Sequence, residues 1–397
     1  MKVNVEKARI EDYDEVIDFG NYVFSHTYYP QDFPTLLPKL YKREYFMDSI
    51  HYLIRDEGKI KAVVGAYPLT WEFPDQKLSG RGIGMVAVHP YCRSRGYFKE
   101  MMKFVLDDMR QDGIVFGCLS GQRQRYEHFG FYPAGYTYTF SCTETNIRYT
   151  LGPEWSTVLS LKPIERSDET ILDQIQAIHE TKPTRFCRQR ERLFDILVTW
   201  KAQVFTVNEG SRSIGYLIYN SDQDNGGRKI TEINLLDPSK LPEVLGLFLR
   251  QSQTFGINDV KDTVDVAVLP NEAEKIAILS RITENYTENP AYQIAVFDFL
   301  LFIKPFLKLR ALERILAEGS FILQIEGGPL LRLAVEQGYA SITETTEQKP
   351  ELCLDMRDTI LFFFSPLAAR IFPVIGKSVF LQSLLPLPFF FENVDEI

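Results

Sequence analysis

The residues with the clearest chemistry sit together in the loop His89-Pro90-Tyr91-Cys92-Arg93-Ser94-Arg95-Gly96. The loop follows an apolar run, Ile83–Val88, with the character of a strand covered on both faces. It precedes Phe98–Arg110, where Phe98, Met101, Met102, Val105 and Met109 recur at helical spacing. A strand that feeds a glycine-containing loop into a helix N-terminus leaves backbone N–H groups pointing outward, aligned with the positive end of the helix dipole. Such a loop binds anions. Gly96 lets the backbone approach a bulky phosphate, and Arg93 and Arg95 add charge-assisted hydrogen bonds at its rim. The loop is not G-x-x-x-x-G-K-[ST], and no G-x-G-x-x-G follows the first strand, so nucleotide hydrolysis and a dinucleotide fold are not indicated. Taken alone, R-x-x-G before a helix also describes an ordinary surface turn.

The remaining reactive residue types form no comparable pattern. The histidines His26, His51, His89, His128 and His179 show no i, i+4 pairing, and no metal is expected. Cys92, Cys118, Cys142, Cys187 and Cys353 contain no C-x-x-C pair and are odd in number, which suits a reducing compartment. Cys92 and Cys118 lack a histidine at a spacing that would activate a thiol and read as small buried hydrophobes. His89 and His128 flank the loop, where packing roles are the ordinary ones.

Three units must position the loop. Residues 1–150 read as an α/β unit: strand Val3–Ile10, helix Asp12–Phe24, strands Tyr52–Arg55 and Lys61–Leu69, the strand, loop and helix above, then strand Ile114–Leu119. A short segment, Gln122–Phe129, leads to a turn at Gly130-Phe131-Tyr132-Pro133. Residues 151–290 repeat the order with helix Ile171–His179, strands Val204–Asn208, Ile214–Tyr219 and Ile230–Leu236, helix Leu241–Gln251 and strand Val264–Val268. There the loop Leu235-Leu236-Asp237-Pro238-Ser239-Lys240-Leu241-Pro242-Glu243 has no glycine, no arginine and two prolines without N–H donors, so it cannot cradle a diphosphate. Residues 291–397 read as α+β: apolar helical pieces interrupted at Pro305, short strands from Phe321 to Met356, then a helical, Pro-rich tail.

The order of elements, with Arg93-Ser94-Arg95-Gly96 after Val86-Ala87-Val88 and Tyr126-Glu127-His128-Phe129-Gly130-Phe131 after the next strand, resembles the GCN5-related N-acetyltransferase (GNAT) superfamily. The loop fits the first four positions of that family's [RQ]-x-x-G-x-[GA] consensus and departs at the sixth, Phe98. The resemblance implies that Arg93, Ser94, Arg95, Gly96, Tyr97 and Phe98 surround the pyrophosphate of acetyl-CoA and that the Val86–Val88 edge pairs with its pantetheine arm like an added strand. It also makes Tyr126 the general acid toward the departing thiolate, a task suited to a phenol of pKa near roughly 10. An active GNAT unit, a degenerate one and a small α+β unit in that order look like the enhanced intracellular survival (Eis) family, whose third domain resembles sterol carrier protein. That likeness implies transfer of acetyl to a primary amine of a small cationic substrate such as an aminoglycoside or polyamine. It further implies the terminal carboxylate of Ile397 as base, and a cytoplasmic homo-hexamer.

Composition sets the outer bounds. The chain has 397 residues, 45 % hydrophobic and 24 % charged, which is ordinary folded composition with room for more than one domain. A net charge of −9 disfavours nucleic acid and suits cationic ligands. No secretory apolar block opens the sequence, and its greasiest stretches are too broken to span a membrane. Two other readings stay open: a non-catalytic acyl-CoA or lipid-binding protein, and an acetyltransferase acting on a protein or peptide amine, as in N-myristoyltransferase-like tandem GNAT proteins.

Overall fold

A computed structural model describes residues 4–27, 29–221, 228–346 and 349–397. The strands, in chain order, are β1 (Glu6–Lys7), β2 (His51–Asp56), β3 (Lys59–Phe73), β4 (Gln76–Val88), β5 (Phe116–Leu119), β6 (Tyr132–Thr143), β7 (Leu159–Pro163), β8 (Arg185–Phe186), β9 (Gln203–Glu209), β10 (Arg212–Asn220), β11 (Lys229–Leu235), β12 (Thr263–Val268) and β13 (Asn285–Val296). All join one sheet ordered β1-β2-β3-β4-β5-β13-β6-β12-β11-β10-β9-β7, with β8 added beside β3.

The hairpin β2–β3 turns at Glu57-Gly58, both at positive φ, as a two-residue turn matched to strand twist requires. The expected first strand shrinks to Glu6–Lys7 within the described residues, because Arg9 and Asp12 close a one-turn 3-10 helix at Ile10–Asp12 ahead of helix Tyr13–Thr27. After Gly130 turns the chain with φ +84, β6 runs twelve residues, and its Tyr136-Thr137-Tyr138-Thr139-Phe140 alternation of strand formers is a signal the sequence reading did not use.

The middle of the sheet joins the first two units by exchange. β6 closes the first unit in sequence but pairs with β12 of the second, while β13, which closes the second, pairs with β5 of the first. β6 and β13 also pair with each other. The boundary expected between residues 290 and 291 therefore falls inside β13, and the one at 150 inside helix Glu144–Leu151. Pattern reading missed this because Asn285–Pro290 is polar and exposed and carries no strand signature of its own.

The C-terminal unit is a four-stranded sheet, β16-β15-β14-β17, built from β14 (Gly319–Ile325), β15 (Leu330–Glu336), β16 (Tyr339–Glu344) and β17 (Leu352–Leu354). Helix Phe299–Glu313 packs against it and runs through Pro305 without a break. The carbonyl this proline cannot serve belongs to Leu301, which is exposed. Phe302, Phe306, Phe321, Phe362, Phe363 and Phe364 fill the space between sheet and helices in one aromatic core.

His51 at the head of β2 is fully buried, with Nε2 2.9 Å from the Tyr67 hydroxyl, and burial lowers its pKa to about 3. Its folded pKa lies below the unfolded value, so unfolding takes up a proton; stability is full above about pH 6.5 and falls as pH drops toward 3. Between pH 7 and 5.5 this one ring costs about 1 kcal/mol. His51→Gln is expected to lose less melting temperature than the wild type over that interval, as read by thermal denaturation; equal losses would remove the assignment.

Candidate active site

The site begins where β4 and β5 part. They pair in parallel only from Gly80–Gly82 to Phe116–Cys118, and β4 then continues six residues further. At Met85, φ +45, β4 bulges: two residues, Met85 and Val86, oppose the single Val64 of β3. The bulge turns the end of β4 away from β5. Beyond Gly82 no strand among the described residues pairs with β4 on this side, which leaves its backbone donors and acceptors facing a cleft.

The loop then delivers the helix. Gly96 is N-cap of Tyr97–Gln111 at φ +83, and a Cβ there would meet open space, so backbone conformation rather than crowding selects glycine. The first intrahelical bond runs from Glu100 N–H to Gly96 O at 3.1 Å, so the amides of Gly96, Tyr97, Phe98 and Lys99 have no helical acceptor. Ser94, at φ +67, adds a second left-handed residue just before, a geometry that turns amides into an anion-binding concavity. His89 Nδ1 accepts from Tyr91 N–H at 3.3 Å and so shapes the loop.

These elements enclose a cleft of about 510 Å³ lined by Val86, Val88, Arg93, Ser94, Gly96 and Tyr97, among others, with Phe98 and Tyr126 on its wall. Two of the expected residues lie apart. The Ala87 side chain is in the core behind helix Tyr13–Thr27, leaving only its backbone at the edge, and Arg95 reaches Asp56 at 3.6 Å. Phe98, the departure from the family pattern, stacks edge-on against Tyr126 at 5.9 Å and Phe129 at 5.3 Å, so its ring forms a wall and does not fill the turn. Lys99, Lys103 and Arg125 continue the cleft as a groove with a basic lining, in which Arg110 is paired with Asp107 at 2.9 Å. In the second unit the corresponding loop has its own anion: the Asp237 carboxylate accepts from Ser239 N–H at 3.0 Å.

Tyr126 ends the short helix Arg123–Tyr126 and is 9 % exposed. It also lines a second cavity, of about 650 Å³, that shares Phe24, Val86, Gln122 and Arg125 with the first and includes Trp200, Glu396 and Ile397. The tail reaches this place along an aromatic track. Phe391 stacks on Tyr292 at 4.5 Å and lies 4.4 Å from Phe186, and Phe389 and Phe390 pack against Trp71. Lys39 Nζ donates to the carbonyls of Val394 and Glu396, both at 2.5 Å, and Ile397 N–H donates to Tyr292 Oη at 3.3 Å. Ile397 then covers the bare face of β4: a Cβ on Gly82 would stand 2.0 Å from its Cδ1, and one on Gly84 2.8 Å from its Cγ2.

Electrostatics divides the tail. The Asp395 carboxylate is bound by Arg188, whereas Glu396 lines the cavity and burial raises its carboxyl to about 7. Cys118 is fully buried, and burial raises its thiol well above the ordinary value. The ligand atoms of His179, Glu232 and Glu392 approach each other closely enough to hold a metal, but Lys182 and Arg188 already pair with both carboxylates.

Sequence reasoning did not find Trp200, Lys39 or Arg188. One signal was available: Gly80-x-Gly82-x-Gly84 strips a single face of a strand, which requires something else to cover it.

Residues 4–134 match the acetyltransferase (GNAT) domain family model. The chain carries a GNAT-type acetyltransferase domain and is an acyl-CoA-dependent acetyltransferase. Its sequence matches no curated protein. Its fold is similar to a probable N-acyltransferase of Enterococcus faecalis (17 % identity, 98 % of this chain and 97 % of that one, TM-score 0.67). It is also similar to a GCN5-related N-acetyltransferase of Anabaena variabilis (15 %, all of both chains, 0.65) and to Eis1 of Mycobacterium abscessus (12 %, all of both chains, 0.62). These likenesses are of fold, mixed α/β with the large sheet described above.

Proposed function

We propose that the chain transfers acetyl from acetyl-CoA directly to a primary amine of a small cationic substrate, aminoglycoside- or polyamine-like, with Tyr126 as general acid and the carboxylate of Ile397 as base. One observation carries this reading: Tyr126 and Ile397 line the same cavity, and Tyr126 also lines the adjoining cleft of the anion-binding loop. Acetyl-CoA supplies a thioester, whose carbonyl carbon accepts an amine and whose thiolate departs.

The chain's own residues do the rest. The unpaired edge at Val86–Val88 offers donors and acceptors to an extended amide chain, and the amides of Gly96 to Lys99, with Arg93 at the rim, take a diphosphate. Tyr126 Oη gives its proton to sulfur. The carboxylate of Ile397 takes the ammonium proton directly or through one water, with Glu396 beside it in the cavity. On the same reading the first unit is catalytic, the second a degenerate GNAT-like unit and the unit beyond β13 sterol-carrier-like, and the enzyme is a cytoplasmic hexamer like the family it resembles.

A thiol-release assay with acetyl-CoA against tobramycin, spermidine and a peptide with a free N-terminus tests the proposal. Turnover is expected with the small cations. Removing Val394–Ile397 is expected to lower kcat at least about tenfold with the acetyl-CoA Kd within about twofold. No thiol release with any amine overturns the reaction; an unchanged kcat in the truncated chain overturns the base.

A further inference from the structure

The tail passes one group that the reaction does not use: a guanidinium from the second unit, enclosed at the junction of the two units. Arg188 follows β8, the short strand of the second unit that adds to β3 of the first. Its side chain is 0 % exposed. Nε and Nη2 donate to the two carboxylate oxygens of Asp395 at 3.0 and 2.8 Å, a fork-on-fork pair. On its other side Nη1 and Nη2 donate to Glu232 at 3.2 and 2.9 Å, and Nη2 also reaches Glu392 at 3.0 Å. Glu232 is itself fixed on β11 by Tyr216 Oη at 2.5 Å and Asn234 Nδ2 at 2.8 Å. Arg188 therefore ties two tail carboxylates to a rigid strand of the sheet.

We infer that Arg188 is the positioning residue of the tail: its pair with Asp395 sets where Ile397 lies over Gly82 and Gly84. This rests on the base role proposed for Ile397. Two residues beyond Asp395 give the chain at most about 7 Å of reach, so fixing Asp395 fixes the terminal group to within a small arc. Charge supplies the drive. Among the described residues the ion pairs of buried Glu232, Glu392 and Asp395 run to Arg188 and Lys182, so without the guanidinium all three lose a shared partner, Asp395 keeps no ion pair, and the tail is free to carry its carboxylates out to water. Lys39 alone, holding two carbonyls, does not offset that. The assignment also gives the second unit a task although its own loop binds no phosphate.

The test uses the full chain and Arg188→Met, with Asp395→Asn as the milder variant that keeps the fold if the first does not. Carboxypeptidase Y is expected to release Ile397 and Glu396 about tenfold faster from either variant, read by intact mass. With the best amine of the panel above, kcat of Arg188→Met falls to that of the chain lacking Val394–Ile397, the acetyl-CoA Kd stays within about twofold, and adding the truncation lowers kcat no further, because groups acting as one unit are not additive. A purely structural role would add to the truncation, and that result overturns the inference. Wild-type trimming and kcat in both variants overturn it as well. If truncation alone leaves kcat unchanged while Arg188→Met still speeds trimming, the anchor stands and the base assignment falls.

Discussion

Tyr126→Phe is expected to lower kcat by about 10²- to 10⁴-fold, the span of a lost general acid, with the acetyl-CoA Kd unchanged. The substitution removes one oxygen and little else. The ring is held by Phe98 and Phe131 and by the backbone at Gly121, where a Cβ would stand 2.7 Å from its edge, so phenylalanine keeps the same seat. Thiol release under saturating amine gives kcat, and calorimetry gives the Kd. Turnover within a few-fold of wild type would take Tyr126 out of the reaction while leaving the cleft as the donor site.

The second large effect comes from a residue with no side chain. Gly82→Val is expected to bring kcat down to about the level of the truncated enzyme, because the new branch occupies the space of Ile397 Cδ1 and Cγ1. Damage to the strand would give the same loss, so a size swap decides. Ile397→Ala in the Gly82→Val background keeps the terminal carboxylate, removes the clashing carbons and is expected to restore about tenfold or more of the lost kcat. No recovery would mean that the sheet, and not the tail, was disturbed.

How much of this the sequence could announce depended on the range over which each feature is built. The anion-binding loop was legible because strand, glycine and helix start are contiguous and each is specified by local backbone chemistry. Helices Ile171–His179 and Leu241–Gln251 and most strands of the second unit were legible for the same reason, whereas helix Ala273–Ile282 was not read. The strand exchange was not, since the partners Leu119 and Gln293 lie far apart in the chain and the polar half of β13 shows no alternation. Nor was the anchor at Arg188. An arginine among many others becomes distinctive only when Glu232, Glu392 and Asp395 converge on it from two remote segments. Phe98 is the opposite case: its identity was plain, but whether it crowds the turn or lines a wall depended on rings at 126 and 129 that only the fold brings near.

The exchange of β6 and β13 has a consequence for how the molecule is made. On the ribosome the edge of β5 is finished long before its neighbour exists; at about 5–20 residues per second the missing strand emerges on the order of ten to thirty seconds later. For that interval the nascent first unit exposes an unsatisfied strand edge, the usual seed of mispairing between chains. Its successful biogenesis therefore depends on whatever shields that edge until residue 296 has been translated.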